Sequence, residues 1–587
     1  MDLSPEPLHA PLGLVFKPQS GEAHLDAWRA HVAKVAEGRA FAPATLYVHV
    51  PFCARVCTYC LLSAVRTPGK DAVRAYVRAL KRQIDLYEPI VKAPSDSTKS
   101  LRFGSIHVGG GTPTLLDERA LDELFTHLTR LPRAEEAQIG VEAHPATSTP
   151  GRLAVLKNHG VHRLSFGVET MTPSVLRNVN REDQSEPRVQ NAVAEARKQG
   201  FSINIDLLAG LPGETAESWA ETVRKTLELQ PDSLSVNRFL GEGSALSKHG
   251  YAPTEEESRR ADAMLLAADA MIREAAKPRW PEEPLRRAGF GTQYVWDRTE
   301  AARRYFQDDM IGPVSTLAIG HGALGHVYGY GFTVPAGTIA DYQARLERGE
   351  PPDMLVCRVD ERFEMAFFVA DQAARGCLSR DVFARVFGRE LESVFPQEID
   401  YLRRTGLLVE GTDTLRKPPR LDFQAAHLLA FLRRTGPELA VEVRALEKAT
   451  LTGEDAAEQG ASLPSEIASS NDADVEAMVS RIPLETKAIT LDVGGGLDGE
   501  TATKLAEAGA RRGLAIHVRG DDRRPLREYA HVPVEVPPSM LWVRIAIRAA
   551  QASRGEQRLL RARRPSPTPP VTEAQDEGSP GDSRRQP

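Results

Sequence analysis

Cysteine is scarce in this chain: there are five in 587 residues, and three of them, Cys53, Cys57 and Cys60, fall within a single short stretch. Cys357 and Cys377 stand far from these, so no disulfide framework can be read, and a reducing compartment, the cytoplasm, is expected. Long apolar runs are lacking too. One extended stretch without Asp, Glu, Lys or Arg runs from Met310 to Ala340, but its glycines, Pro313, Pro335, His321 and His326 make it a poor membrane span. The N-terminus, Met1 to Pro7, has neither a basic start nor an apolar stretch of signal length. No charge of either sign dominates: a net charge of −6 and a pI near 6.3 give no global reason to expect nucleic acid or an anionic membrane as partner. What remains, 41% hydrophobic and 26% charged, is the composition of a soluble protein long enough for two or more domains.

The three clustered cysteines follow a strand-like run, Thr45 to Val50, closed by Pro51. Thiols spaced as Cys53, Cys57 and Cys60 can face one point only if the chain loops around it, and thiolates brought so close are stabilised by a metal. Structural zinc wants four ligands and usually pairs two Cys-x2-Cys hooks; no second hook exists here. An iron–sulfur cluster with one open iron is the favoured reading, with zinc as the alternative.

The run Tyr47-Val48-His49-Val50-Pro51-Phe52-Cys53 and the Cys-x3-Cys-x2-Cys spacing resemble the radical S-adenosylmethionine (SAM) superfamily, in particular the oxygen-independent coproporphyrinogen III oxidase-like branch. The resemblance continues through Gly109 to Pro113, Arg163 to Glu169, Asn180 to Glu182 and Asn204 to Pro212, and covers about residues 45 to 435. It implies a [4Fe–4S] cluster on Cys53, Cys57 and Cys60, with SAM bound by Tyr47, Gly110, Gly111, Thr112, Glu142, Glu169, Arg181 and Asp206. It also implies a low-potential electron donor of the flavodoxin or ferredoxin type.

From Thr45 the chain repeats one unit: a short β-branched run, a loop with glycine or a polar residue, then an amphipathic helix. Strands are expected at Leu46–Val50, Ser105–Val108, Gln138–Ala143, Arg163–Val168, Ile203–Leu208 and Ser233–Phe239, with helical patterns such as Asp71–Leu86, Pro187–Lys198 and Glu217–Leu227 between them. Alternation of this kind forces a parallel sheet with right-handed crossovers, and six units make an α/β fold of the partial (β/α)6 TIM-barrel type. The chemically interesting residues fall where strands end, the face on which such barrels keep their active sites.

Gly109-Gly110-Gly111 removes side chains at a strand end, so that backbone groups can approach a ligand closely; alone, a triple glycine is more often a tight turn. Glu142 can accept from ribose hydroxyls or an ammonium, and Arg181 can pair with a carboxylate, although each could equally be a solvated loop charge. Asp206, flanked by Ile205 and Leu207, is a carboxylate inside an apolar strand and needs a partner. Glu169 stands where relatives often carry Gln, which adds a charge.

Six segments are expected: an N-terminal arm (1–44, helical near Leu25–Glu37), the radical SAM partial barrel with a substrate-side extension (45–350), a helical, winged module (351–435), an acidic linker (436–482), a small α/β module (483–550) and a disordered tail (551–587). Arg286 and Arg287 with Tyr294, Trp296, Tyr305 and Phe306 could line a pocket for a flat ligand bearing carboxylates, or simply pack. Leu317 to Gly325 resembles a glycine-rich family segment near the substrate and a second SAM. In the winged module basic and acidic residues nearly balance, which argues against DNA. Gly494, Gly496 and Gly499 have dinucleotide-binding spacing, with Asp521 or Asp522 downstream, but too few strands follow for a nucleotide domain.

The expected chemistry is reductive cleavage of SAM to a 5′-deoxyadenosyl radical, directed at a small molecule, with a tetrapyrrole as the leading substrate class. A haem-carrying chaperone, or a radical C-methyltransferase or cyclase using two SAM molecules, are the other readings. One departure weighs on substrate: relatives that oxidise coproporphyrinogen carry a fourth cysteine two residues after the third, and here that position is Leu62, preceded by Leu61.

Overall fold

The computed structural model describes residues 16–400 with breaks, chiefly at 41–43, 61–63, 93–99, 242–243, 247–250, 277–284, 287–291, 297–313 and 375–377, and beyond them the strands at 409–410, 414–416, 488–492 and 515–519. All six expected strands form: β1 (Ala44–Val50), β2 (Phe103–Gly110), β3 (Arg133–Ala143), β4 (Arg163–Glu169), β5 (Ser202–Ala209) and β6 (Ser233–Arg238). They lie side by side in chain order and every neighbouring pair is parallel.

The helices are α1 (Gly21–Ala36), α2 (Lys70–Val91), α3 (Glu118–Leu128), α4 (Pro150–Asn158), α5 (Glu186–Lys198), α6 (Ala216–Glu228) and α7 (Glu255–Ala276). Their starts are written in the sequence. Asp117 accepts from the Ala120 amide at 2.9 Å, Thr149 caps α4 ahead of Pro150, and Thr215 with Ser218 forms a capping box on α6. Along α2, Val73, Tyr76, Val77, Leu80, Ile84, Tyr87 and Val91 recur at helical spacing and are all buried. Trp219 on α6 is fully buried and donates its indole N–H to the Met264 carbonyl of α7 at 2.7 Å, which ties the last crossover helix to the helix after β6.

The sheet extends beyond the six expected strands. A seventh parallel strand, β7 (Thr316–Ile319), pairs with β1, Leu317 opposite Leu46. β8 (Gly325–Val327), β9 (Gly331–Pro335) and β10 (Met354–Cys357) continue it antiparallel, and Lys17–Gln19 pairs with β10 at that edge. Beyond β6, Thr292–Val295 and Leu285–Arg286 add two antiparallel strands, giving thirteen in one open sheet. The sheet therefore runs across the boundaries expected at 44 and 350. Tyr294 is a core residue, its hydroxyl donating to Asp269 at 2.8 Å, and Trp296 packs against the same core. Arg287, Tyr305 and Phe306 lie outside the described residues.

The winged module shows helices Glu361–Ala374 and Arg380–Phe387 and a three-stranded sheet of Leu378–Ser379, Thr414–Arg416 and Val409–Glu410. Ala488–Asp492 and Ala515–Arg519 pair in parallel. The linker, the glycines Gly494, Gly496 and Gly499, Asp521, Asp522 and the tail lie outside the described residues.

Strand alternation divides this barrel unusually. Leu46, Val48, Ile106, Val108, Ile203, Ile205 and Leu207 join the apolar core with the helices. The alternate positions bond to one another in a polar interior: Thr45 with Ser105 at 3.3 Å, Tyr47 stacked on His107, and Ser165 with Asp206 at 2.7 Å. A barrel interior of this type is ordinarily filled by branched apolar side chains. Here it leads polar groups up to the carboxyl-terminal mouth.

Candidate active site

The cysteine loop leaves β1 at Pro51 and is held on two sides. Toward the glycine loop, the Gly111 amide donates to the Val50 carbonyl at 2.7 Å and the Thr112 amide to the Phe52 carbonyl at 2.9 Å. Toward the segment after β4, Asn180 Nδ2 donates to the Val56 carbonyl at 2.9 Å, the Thr58 amide to Val179 at 3.2 Å, and Arg55 pairs with Glu182 at 3.0 Å. Cys53, Cys57 and Cys60 are all half-buried and none is in a disulfide. Thr112 Oγ1 donates to Cys53 Sγ at 3.4 Å, and Arg181 Nη1 to Cys57 Sγ at 3.3 Å. Burial pushes the Cys53 thiol up, with the Thr112 hydroxyl opposing it. Among the described residues no group of three His, Cys, Asp or Glu side chains is drawn together around a single-ion position.

The residues that the resemblance assigns to SAM, Tyr47, Gly110, Gly111, Thr112, Glu142, Glu169, Arg181 and Asp206, all lie on the strands of this barrel or on the loops that follow them. Glu142 at the end of β3 accepts from His107 Nε2 at 3.0 Å and from the Gly110 amide at 2.9 Å. Burial works against its charge, but these donors and the neighbouring His49 outweigh it and hold the carboxyl below its usual value. Tyr47 bonds His49 Nδ1 at 2.9 Å, and His49, buried, is pushed down to about 4 by desolvation. His49, unremarked in the sequence, thus belongs to the site; its signal was the alternation Tyr47-x-His49 on the inward face of β1.

The glycines are also needed by the protein's own packing. A Cβ on Gly109 would meet the Glu142 carboxylate at 2.6 Å, one on Gly110 the His49 ring at 2.5 Å, and one on Gly111 the Phe52 carbonyl at 2.7 Å. Gly110 also has φ +110°, a conformation that L side chains rarely adopt. The space beside each glycine is taken by the protein's own groups, so the triplet first of all lets Glu142, His49 and the cysteine loop close together. Gly320 is a parallel case after β7: its φ is +103°, a Cβ would meet the His49 carbonyl at 2.5 Å, and its amide donates to Gln83 at 2.8 Å. His321 beside it is buried, its amide bonded to Tyr76 and its ring to Gly337.

Arg181 is buried between three elements. It donates to Gln184 Oε1 at 3.2 Å, to the Tyr59 hydroxyl at 2.9 Å and to the Gly167 carbonyl, as well as to Cys57. Glu169, at a register shift of β4 against β5, has φ +65°, strained for a residue with a Cβ. Burial raises its carboxyl to about 7; the Arg181 charge opposes the rise and Asp206 adds to it. The folded value lies above the ordinary 4.5, so the group's contribution is complete at low pH and is lost as pH rises through 7. Glu169→Gln is therefore expected to leave the unliganded protein's stability nearly unchanged at pH 5 and to raise it at pH 8, by as much as ~3 kcal/mol. Urea titrations at the two pH values measure this, and equal midpoint shifts at both would contradict it.

Asp206 on β5 accepts from Ser165 Oγ at 2.7 Å and from Asn204 Nδ2 at 2.7 Å. Burial pushes its carboxyl up, with Ser165 and Arg163 opposing. Four acidic or basic groups, Glu142, Glu169, Arg181 and Asp206, thus converge beside three thiols at one end of a parallel barrel. That arrangement can hold a metal cluster and a zwitterionic ligand with hydroxyl groups.

The Radical SAM superfamily matches residues 47–226, the segment that carries all of these groups. Over 199 residues the chain is 35% identical to the oxygen-independent coproporphyrinogen III oxidase of Synechocystis sp., covering 34% of this chain and 41% of that protein. Over 377 residues it is 27% identical to the heme chaperone HemW of Bacillus subtilis, covering 62% of this chain and 92% of that protein. The solved structure of the Escherichia coli coproporphyrinogen III oxidase HemN, a radical SAM enzyme, superposes with a TM-score of 0.56 at 23% identity, over 72% of this chain and 95% of that one. The chain thus carries a radical SAM domain, and its fold is that of HemN. It spans less than half the length of the curated oxidases it matches. Among the described residues no helix is long and apolar enough to cross a membrane.

Proposed function

We propose that this protein is a radical SAM enzyme whose [4Fe–4S] cluster is held by Cys53, Cys57 and Cys60, and that it acts in tetrapyrrole chemistry. The observation that carries this reading is the convergence of three thiols with Glu142, Arg181 and Asp206 at the mouth of a radical SAM domain. The thiols suit a cluster: Thr112 and Arg181 already direct donors at two of the sulfurs, and a multi-iron cluster spreads its ligand sulfurs more widely than one zinc ion does. Such a cluster, supplied with an electron by a low-potential carrier, reductively cleaves bound SAM to a 5′-deoxyadenosyl radical. Around it, Arg181 pairs with the SAM carboxylate, Glu142 and the glycine loop hold its amino group, Asp206 and Glu169 face the ribose, and Tyr47 and Thr112 support this bed.

Asp206→Asn and Arg181→Ala are expected to weaken SAM binding about ten- to hundredfold, the loss of a charge-assisted contact worth ~1.5–3 kcal/mol, with iron content near wild type. Anaerobic equilibrium dialysis measures the first and iron assay the second; unchanged affinity in both variants would remove these residues from the SAM site. A second reading, a haem carrier, is favoured by the match along 92% of HemW. Retention of one haem per chain with little 5′-deoxyadenosine formed would select it over an oxidase.

A further inference from the structure

Asp206 lies in a polar relay that begins across the barrel interior. On β5, the even-numbered positions turn inward, and β4 and β6 place Ser165 and Ser233 opposite Asn204, and Ser235 opposite Asp206. Asn204 is fully buried. Its Nδ2 donates to Asp206 Oδ1 at 2.7 Å and to Ser165 Oγ at 2.8 Å, with a longer contact to Ser235 at 3.2 Å. Its Oδ1 accepts from Ser233 Oγ at 2.7 Å and from Ser235 Oγ at 3.3 Å. With Asp206 ionised the amide points this way, because a carboxylate accepts and never donates. Behind it, buried Arg163 reaches Ser233 Oγ at 3.5 Å. Every donor in this series therefore points the same way: Arg163 to Ser233, Ser233 to Asn204, Asn204 to Asp206.

We propose that Asn204 is a positioning residue for SAM binding, the middle of an Arg163–Ser233–Asn204 relay that fixes Asp206 and directs its free lone pairs into the barrel mouth. The proposal rests on the reading of Asp206 as a SAM contact. Hydrogen bonds arranged donor to acceptor in one direction polarise one another, and a guanidinium at the head of the series strengthens the last bond to the carboxylate. A carboxylate this deeply buried otherwise favours its protonated form, which would turn one of its acceptors into a donor. With one oxygen bonded to Ser165 and the other to Asn204, the carboxyl plane is set by two different strands, β4 and β5. Asp206 then meets ribose hydroxyls without rotating.

The test uses the full chain with its cluster reconstituted, and SAM without reductant, so that binding is read apart from turnover. Asn204→Ala is expected to raise the SAM dissociation constant about tenfold, the cost of one charge-assisted bond, and to move the acid limb of SAM binding up by about one pH unit. Ser233→Ala, which keeps Asn204 but removes its strongest orienting donor, should shift the acid limb in the same direction by less. Thermal unfolding of both variants reports whether the barrel is intact, and Ser233→Ala serves where Asn204→Ala does not fold. An affinity and pH profile like wild type in a folded Asn204→Ala or Ser233→Ala, while Asp206→Asn binds weakly, would overturn the relay and leave Asp206 in place. Wild-type affinity in Asp206→Asn would instead remove the reading beneath it.

Discussion

Cys57→Ser is expected to purify without iron–sulfur absorbance and to form no 5′-deoxyadenosine from SAM. A serine hydroxyl stays protonated where a thiol ionises, and its oxygen is a poor partner for iron beside two thiolates. The geometry makes Cys57 the severe case among the three. Its sulfur accepts from Arg181, which also holds Tyr59 and the Gly167 carbonyl, so the substitution disturbs the ligand set and the proposed SAM carboxylate partner together. Iron and sulfide analysis after anaerobic reconstitution measures the first effect, and chromatography of SAM products the second. One zinc per chain in the unmutated protein, with no iron or sulfide taken up, would overturn the cluster reading.

Much of this site is legible in the amino-acid sequence. The strand ends can be placed because β-branched runs stop abruptly at cysteine, glycine or a carboxylate, and three of the helices between them begin at the side-chain caps Asp117, Thr149 and Thr215. Local signals of that kind survive in any fold. The barrel interior is not legible, because Ser165, Asn204, Ser233 and Ser235 look like ordinary polar interruptions until strand register sets them opposite one another. Register is a tertiary fact, decided by which strands pair and where. The same limit explains β7, which joins β1 from about 270 positions along the chain, and the Lys17–Gln19 strand, whose partner lies at Met354–Cys357. The glycine triplet is visible, but its reason lies in Glu142 and His49, which only folding brings to within van der Waals reach of it. The left-handed backbone of Glu169 has no signal at all, since the residue that tolerates such a φ best is glycine.

Given coproporphyrinogen III, SAM and a low-potential reductant under anaerobic conditions, the protein is expected to form no protoporphyrinogen IX above a no-enzyme control over many hours. Two observations point this way. In the resemblance to oxygen-independent coproporphyrinogen oxidases, a fourth cysteine follows the third by two residues, and Leu62 occupies that position here. Leucine can neither ligate iron nor donate or accept a hydrogen bond, and Leu61 beside it supplies no polar substitute. Moreover, the likeness to the curated oxidases stops at 41% of the Synechocystis protein's length, whereas the match to HemW runs along 92% of it. Sequence likeness to these oxidases thus covers less than half of their length, and the fold likeness to HemN, which runs along 95% of that chain, does not by itself carry substrate choice. SAM cleavage should survive the substitution, because Cys53, Cys57, Cys60, Arg181, Glu142 and Asp206 are all in place at the barrel mouth. Chromatography of the oxidised porphyrins, run beside a 5′-deoxyadenosine assay on the same samples, separates the two activities. Accumulation of protoporphyrin over many turnovers, or anaerobic growth restored to a strain lacking its own oxidase, would make Leu62 compatible with decarboxylation and place this chain among the oxidases.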